Sequence, residues 1–293
     1  MPFEGVLTAL VTPFHPDGSL DEATFRALVA RQVAAGIGGL VPCGTTGEAP
    51  TLDLEEHRQI IRWTVEASGG VPVLAGIGSN NTQTAIETAW AAREAGVQGV
   101  LATVPYYNKP TQEGLYRHFR TIAEAVPELE VCLYDVPSRT SVRVSTDTVA
   151  RLCEIDNITC IKDATADLAA AAELHRITPE GFHVLSGDDP TVLPLIAAGG
   201  VGCVSVASNL IPGAMVALVA AARSGEGVQA ARQSAALQPL FRALSLQTNP
   251  LPIKTALAMK GLCTETFRLP LCPMDPGPRE QLGDALRQAG QLG

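Results

Sequence analysis

The chain has 293 residues, of which 46% are hydrophobic and 17% charged, with 27 glycines and few aromatics. That composition suits one large α/β barrel or two average domains around a sizeable core, and it excludes a disordered chain. A formal net charge of -9 without any basic run excludes a phosphate backbone as the main partner, because nucleic-acid binding rests on clustered Lys and Arg.

The opening "MPFEGVLTAL" puts an acid where a signal peptide needs positive charge, so a cytoplasmic location is expected. It leads into the first of eight apolar runs that read as strands: 5–14, 38–44, 71–78, 97–105, 129–137, 157–164, 182–189 and 201–208. Between the first two, "LDEATFRALVARQVAAG" carries Phe25, Leu28, Val29 and Val33 on one helical stripe and stops at Gly36. After the second, "TLDLEEHRQIIRWTVEAS" opens on Thr51 or Asp53 as a cap, with acidic residues in the first turn where the helix dipole favours them. The apolar run "IPGAMVALVAAA" at 211–222 is too short to span a bilayer. Beyond it, "EGVQAARQSAALQPLFRALSLQ", "NPLPIKTALAMKGL" and "GPREQLGDALRQAGQ" read as helices broken by Pro and Gly.

Strands alternating with helices at a period of about thirty residues imply a parallel sheet, and eight such units are the count of a closed (β/α)8 TIM barrel. The barrel is expected over residues 1–225, with a C-terminal helical extension over 226–293. The competing doubly wound sheet usually carries G-x-G-x-x-G at its first strand-helix turn, which here reads "TPFHPDGSL".

Seven scattered cysteines without a C-x-x-C pair predict buried free thiols rather than a disulfide framework, and five histidines without H-x-x-x-H or H-x-H spacing give no metal signature.

A barrel places its active site at the C-terminal ends of its strands. There "NITCIKDA" ends on Lys162, and regular alternation would put Ile158, Cys160 and Lys162 on one face, inside the barrel. Three readings account for a lysine so placed. It pairs with Asp163 or Asp167, it snorkels to water, or it is a nucleophilic amine that forms a Schiff base with a carbonyl. Tyr134, of the same parity as Cys132 on the neighbouring strand, is placed to face it and to relay protons. The turn "CGTTGE" offers amides and the hydroxyls of Thr45 and Thr46 as a nest for a carboxylate.

With "ALVTPF", "GTTGE", "PYYNKPTQEGLYRHF", "YDVPSRT", "IKDAT", "LSGDD" and "NPLPIK" in this order, the chain resembles, nearly end to end, the pyruvate-dependent class I aldolases of the dihydrodipicolinate synthase / N-acetylneuraminate lyase family. The likeness is to the synthase branch, and it implies a Schiff-base lyase that joins pyruvate to L-aspartate 4-semialdehyde, giving 4-hydroxy-tetrahydrodipicolinate on the way to lysine and diaminopimelate. By that resemblance Lys162 forms the Schiff base, and Thr45, Tyr134 and Tyr107 form a proton relay. Thr46 holds the pyruvate carboxylate, while Gly187 and Val204 lie beside the bound pyruvate. Tyr107 would cross a subunit interface, which implies a homo-oligomer, in the usual case a tetramer of two tight dimers. Arg139 of "PSRT" would bind the aldehyde's carboxylate, as a planar guanidinium fork is suited to do. No metal or organic cofactor is expected, since the lysine itself supplies the electron sink.

The alternatives are a sister aldolase acting on a sugar acid such as N-acetylneuraminate or a 2-keto-3-deoxy acid, which would not need Arg139, and a non-catalytic barrel that binds pyruvate-like ligands. Two departures from the family pattern stand beside Arg139: Asp135 replaces the usual asparagine, and Ser141 a common glycine. Where lysine-regulated members bind lysine, this chain keeps His57, Asn80 and Tyr106 but has Ala49, Leu54 and Thr84, so weak or absent lysine feedback is expected.

Overall fold

The computed structural model describes residues 3–292. Its elements alternate as β1 (Gly5–Ala9), α1 (Glu22–Ala34), β2 (Gly39–Val41), α2 (Leu54–Ala67), β3 (Leu74–Gly76), α3 (Thr82–Glu94), β4 (Gly99–Thr103) and α4 (Gln112–Ala125). There follow β5 (Glu130–Asp135), α5 (Pro137–Thr140), α6 (Thr146–Leu152), β6 (Ile158–Asp163), α7 (Leu168–Ile177), β7 (His183–Ser186), α8 (Val192–Ala197), β8 (Gly202–Ser205) and α9 (Pro212–Arg223). The chain ends in α10 (Gly227–Ala243), α11 (Leu251–Met259) and α12 (Pro276–Gln288), the expected C-terminal helices.

Every strand falls inside its predicted run. The eight are parallel, in the order β2-β1-β8-β7-β6-β5-β4-β3, and the remaining seam is drawn together by a bridge between Leu40 and Val73. The Leu40 N–H donates to the Pro72 carbonyl and the Gly76 N–H to the Pro42 carbonyl, each at 2.9 Å. The architecture is the (β/α)8 barrel. Among the described residues no helix is long and apolar enough to cross a membrane.

Local chemistry sets the helix starts. Asp21 caps α1 by accepting from the Thr24 N–H. Asp53, not Thr51, caps α2, in a reciprocal box with Glu56. Both helices then turn Phe25, Leu28, Val29, Ile60 and Ile61 onto the strands. Two separate apolar clusters result: a thick outer one between strands and helices, and a small inner one of Leu7, Leu74, Leu101, Cys132, Cys160 and Leu185 that fills the barrel axis.

The pleat of β6 departs from expectation. Its pairing with β5 is irregular between Val131 and Cys132, so that Val131 pairs with Ile158 but Cys132 pairs with Cys160. One residue of β6 is thereby passed over, as in a β-bulge. Ile158 belongs to the outer cluster, whereas Cys160 and Lys162 face inward. The expectation that Ile158 shares their face is corrected by this bulge. All seven cysteines are free; Cys43, Cys132, Cys160 and Cys203 are buried, but Cys153 and Cys263 are only partly so and Cys272 is exposed, so the expectation of buried thiols holds for four of the seven.

The β2/β3 seam gives a test. A Cβ at Gly76 would collide with the Cys43 carbonyl, which is backbone and cannot rotate away, whereas a Cβ at Gly277 in α12 meets nothing within 4 Å. Gly76→Ala is expected to lose roughly 1–3 kcal/mol of stability, and Gly277→Ala to be neutral or slightly stabilising, as Gly-to-Ala changes in helices are. Paired denaturant titrations of the two variants check both.

Candidate active site

The C-terminal ends of β2, β3, β4, β5 and β6 open onto a cavity of about 480 Å³, and a second lobe of about 210 Å³ adjoins it on the side of β7 and the C-terminal helices. The lobes share Thr45, Thr46, Tyr134, Val136, Arg139 and Lys162 as walls. Six of the eight predicted site residues therefore line one cleft: these five polar ones and Gly187, which lines the smaller lobe.

Lys162 sits at its floor, 6% exposed. The register of β5 and β6 sets Tyr134 beside it, and the ammonium nitrogen lies 4.0 Å from the centroid of the Tyr134 ring. Neither expected carboxylate partner takes it. Asp163 accepts from the Thr165 N–H at 2.7 Å, and Asp167 caps α7 and binds Arg143 at 2.8 Å. Among the described residues Lys162 makes no ion pair, so its burial is offset only by the ring face and not by a counter-charge. Gly187 has a steric reason: a Cβ there would press on Ala164 at 2.8 Å and on the Lys162 Cε at 3.1 Å.

The turn after β2 is bracketed by Cys43 and Glu48, both in the left-handed region at φ 54° and 55°. Inside it, the Gly47 N–H donates to the Gly44 carbonyl and the Glu48 N–H to the Thr45 carbonyl, each at 3.1 Å, while the Thr12 hydroxyl donates to the Gly47 carbonyl at 2.8 Å. Thr45 is half-buried at the cleft, and Thr46 is buried with its hydroxyl accepting from the Asn249 side-chain amide at 3.0 Å.

Arg139 projects from α5, exposed, and donates to the Asn249 carbonyl at 3.0 Å. Its helix ends on Ser141 at φ 58°, in the left-handed region that glycine enters most readily.

Two predicted residues are placed apart. Val204 is buried in the inner cluster, and it is Val206, two residues on, that lines the smaller lobe. Tyr107 is 88% exposed at φ 72°, outside both lobes. Sequence reasoning assigned no part to Asn249, although "NPLPIK" stands among the matching motifs and its two prolines mark an ordered segment. Among the described residues no group of three His, Cys, Asp or Glu side chains is placed to hold a metal ion.

Behind Tyr134 the strands carry a second pair. Asp135 stands opposite Asp163, 2% exposed, with one oxygen accepting from the Val144 N–H at 3.4 Å and the other 3.9 Å from the Arg143 Nε. Burial first, and the Asp163 charge after it, push its carboxyl up to about 7, against the pull of the Val144 N–H and Arg143.

The sequence profile of the Dihydrodipicolinate synthetase family matches residues 2–289. The 4-hydroxy-tetrahydrodipicolinate synthase of Nitratidesulfovibrio vulgaris (strain DP4) is 48% identical over 294 residues, covering 100% of both chains. Among solved structures, dihydrodipicolinate synthase from Aquifex aeolicus superimposes with a TM-score of 0.97 at 40% identity, over 99% of each chain. The chloride-inhibited dihydrodipicolinate synthase from Acinetobacter baumannii, complexed with pyruvate, gives a TM-score of 0.97 at 42% identity over 99% of this chain and 100% of its own.

Asp135 predicts a pH effect. Its folded value lies above the ordinary 3.8, so the folded state holds a proton that the unfolded state has released. The stability due to this group is complete below about pH 4 and is lost as the pH rises through 7. Asp135→Asn is expected to remove that loss, so its stability advantage over the parent widens by roughly 1–3 kcal/mol from pH 5 to pH 8. Denaturant unfolding at both pH values measures it.

Proposed function

The chain belongs to the dihydrodipicolinate synthetase family, and we propose that its cleft joins pyruvate to L-aspartate 4-semialdehyde through a Schiff base on Lys162. The product is 4-hydroxy-tetrahydrodipicolinate, the compound for which its relatives are named, and this sets the chain among the synthases rather than the sugar-acid aldolases. The carrying observation is a buried lysine without a counter-charge, in register with a tyrosine, at the floor of a cleft large enough for both small acids. The pyruvate bound by the Acinetobacter relative supports the same first substrate here.

The steps follow from the side chains. The Lys162 amine attacks the ketone carbon of pyruvate, Tyr134 returns a proton to the carbinolamine oxygen, and water leaves to give the imine. The positive imine nitrogen draws electrons, so a methyl proton is lost and an enamine forms. Its carbon attacks the aldehyde, whose carboxylate is paired with Arg139. The amine of the adduct then attacks the imine carbon and displaces Lys162, closing the ring and freeing the enzyme. Thr46 holds the pyruvate carboxylate, and the Gly187 carbonyl flanks it. Thr45 links Tyr134 to Tyr107, which a second copy of the chain contributes. The exposure of Tyr107 in a positive-φ loop supports that last assignment, and the proposed assembly is a tetramer built of tight dimers. Residues 1–225 form the catalytic unit in this reading and 226–293 an extension that closes one wall of its cleft.

Lys162→Ala is expected to abolish borohydride-trapped pyruvate, as seen by intact mass. Arg139→Ala should keep the trapped adduct yet lower kcat/KM for the aldehyde about 100-fold, the size of a lost charge-assisted pair. Turnover insensitive to Arg139→Ala would point back to a sugar acid.

Lysine control should be weak. Ala49, Leu54 and Thr84 stand with His57 around the outer end of the larger lobe, without a carboxylate at these three places for an α-amino group. Half-inhibition by L-lysine is expected above about 1 mM in steady-state assays.

A further inference from the structure

Two residues within the matching motifs have no part in the chemistry above: the glutamate that ends "GTTGE" and the lysine that ends "NPLPIK". The fold brings them together. The Lys254 ammonium, on α11, donates to Glu48 Oε1 at 2.6 Å, and both side chains are 0% exposed. The other Glu48 oxygen accepts from the Arg268 N–H at 3.2 Å. The ammonium also lies 4.2 Å from the Phe14 ring centroid and 5.1 Å from that of Phe267, so the pair is walled by aromatic faces. A buried pair of this kind is weak evidence for stability, since apolar side chains of similar volume usually serve as well. Its location suggests another use.

We propose that Glu48 and Lys254 are positioning residues, an ion-pair clamp by which the C-terminal segment fixes the Thr45/Thr46 turn for pyruvate. Glu48 lies two residues beyond Thr46 and holds a left-handed backbone that disfavours a residue with a Cβ unless its surroundings impose it. Its own N–H donates to the Thr45 carbonyl, so a displaced Glu48 moves Thr45 directly. At the other end of the same six-residue segment, the Asn249 amide donates to the Thr46 hydroxyl and the Asn249 carbonyl accepts from Arg139. One segment thus grips the turn on both sides of Thr46. Arg268 anchors the grip to the barrel, since its guanidinium bridges Glu56, the Thr51 carbonyl and the Gly18 carbonyl.

The inference rests on the Lys162 reading, and borohydride trapping separates the two. The variants are Glu48→Gln, which keeps the shape and removes the charge, and Glu48→Gln with Lys254→Met, which leaves no unpaired buried ion and so preserves folding where a single change does not. Trapping is followed against pyruvate concentration, well below each variant's Tm. The pyruvate half-saturation is expected to rise about tenfold or more, with KM for the aldehyde changed less than about twofold. Combined with Thr46→Val, the Glu48→Gln effect should largely vanish, because both act through one group. A staple that merely supports the fold predicts that the two effects multiply. That result, or an unchanged half-saturation, overturns the clamp while Lys162 chemistry stands. Failure of the parent enzyme to trap pyruvate overturns both.

Discussion

The site depends on how β6 is registered against β5. Parallel strands buried on both faces have no wet side to fix which residues point inward, so the choice falls to strand pairing. The extra residue of β6 opposite Val131 and Cys132 makes that choice, setting Cys132 beside Cys160, Tyr134 beside Lys162 and Asp135 beside Asp163. A slip of β6 by one residue would set Asp163 beside Tyr134 in the cleft and send the Lys162 amine into the helical layer, while β5 kept its own faces. The same register thus builds both the amine-phenol couple inside the barrel and the carboxyl couple behind it.

The chain holds two buried lysines, and their surroundings differ in the one feature that decides their chemistry. Lys254 is fully enclosed and has a carboxylate at 2.6 Å, so its charge is matched and its geometry fixed. Lys162 is nearly as enclosed, yet the two acids closest in sequence are engaged elsewhere, with Thr165 and Arg143, and what faces its ammonium is an aromatic ring. A matched amine is held charged and fixed in place by its partner; an unmatched amine at the floor of a cleft is available to react. The reasoning that singled out Lys162 in "NITCIKDA", a lysine inside an apolar run, applies equally to "LPIKTALAM". Only the fold tells which of the two has found its partner.

Around the cleft, the side chains proposed to act come from segments far apart in the chain. The β2 turn gives Thr45 and Thr46, β5 Tyr134, α5 Arg139 and β6 Lys162. Asn249 arrives from beyond the barrel to touch Thr46 and Arg139 together. The carboxylate sites proposed for the two substrates are thus tied to a single residue of the C-terminal segment. The C-terminal helices therefore wall the cleft, with Phe241, Leu244 and Asn249 lining its smaller lobe.

The sequence by itself determined the eight βα units, because alternating apolar runs and 3.6-residue stripes are local signals, and each strand lies inside the run that announced it. It likewise singled out Lys162, Tyr134, Thr45, Thr46 and Arg139, since polar residues at strand ends are conspicuous against apolar neighbours and the motifs around them are long. The tertiary structure alone decided the face on which Ile158 lies, because a bulge depends on the partner strand and leaves no mark in a single run. It alone decided that Val206 rather than Val204 lines the cleft, a matter of depth along the barrel axis. It alone joined Glu48 to Lys254 and Asn249 to Thr46, contacts across some two hundred residues whose energy exists only once the barrel has closed and removed the water between them.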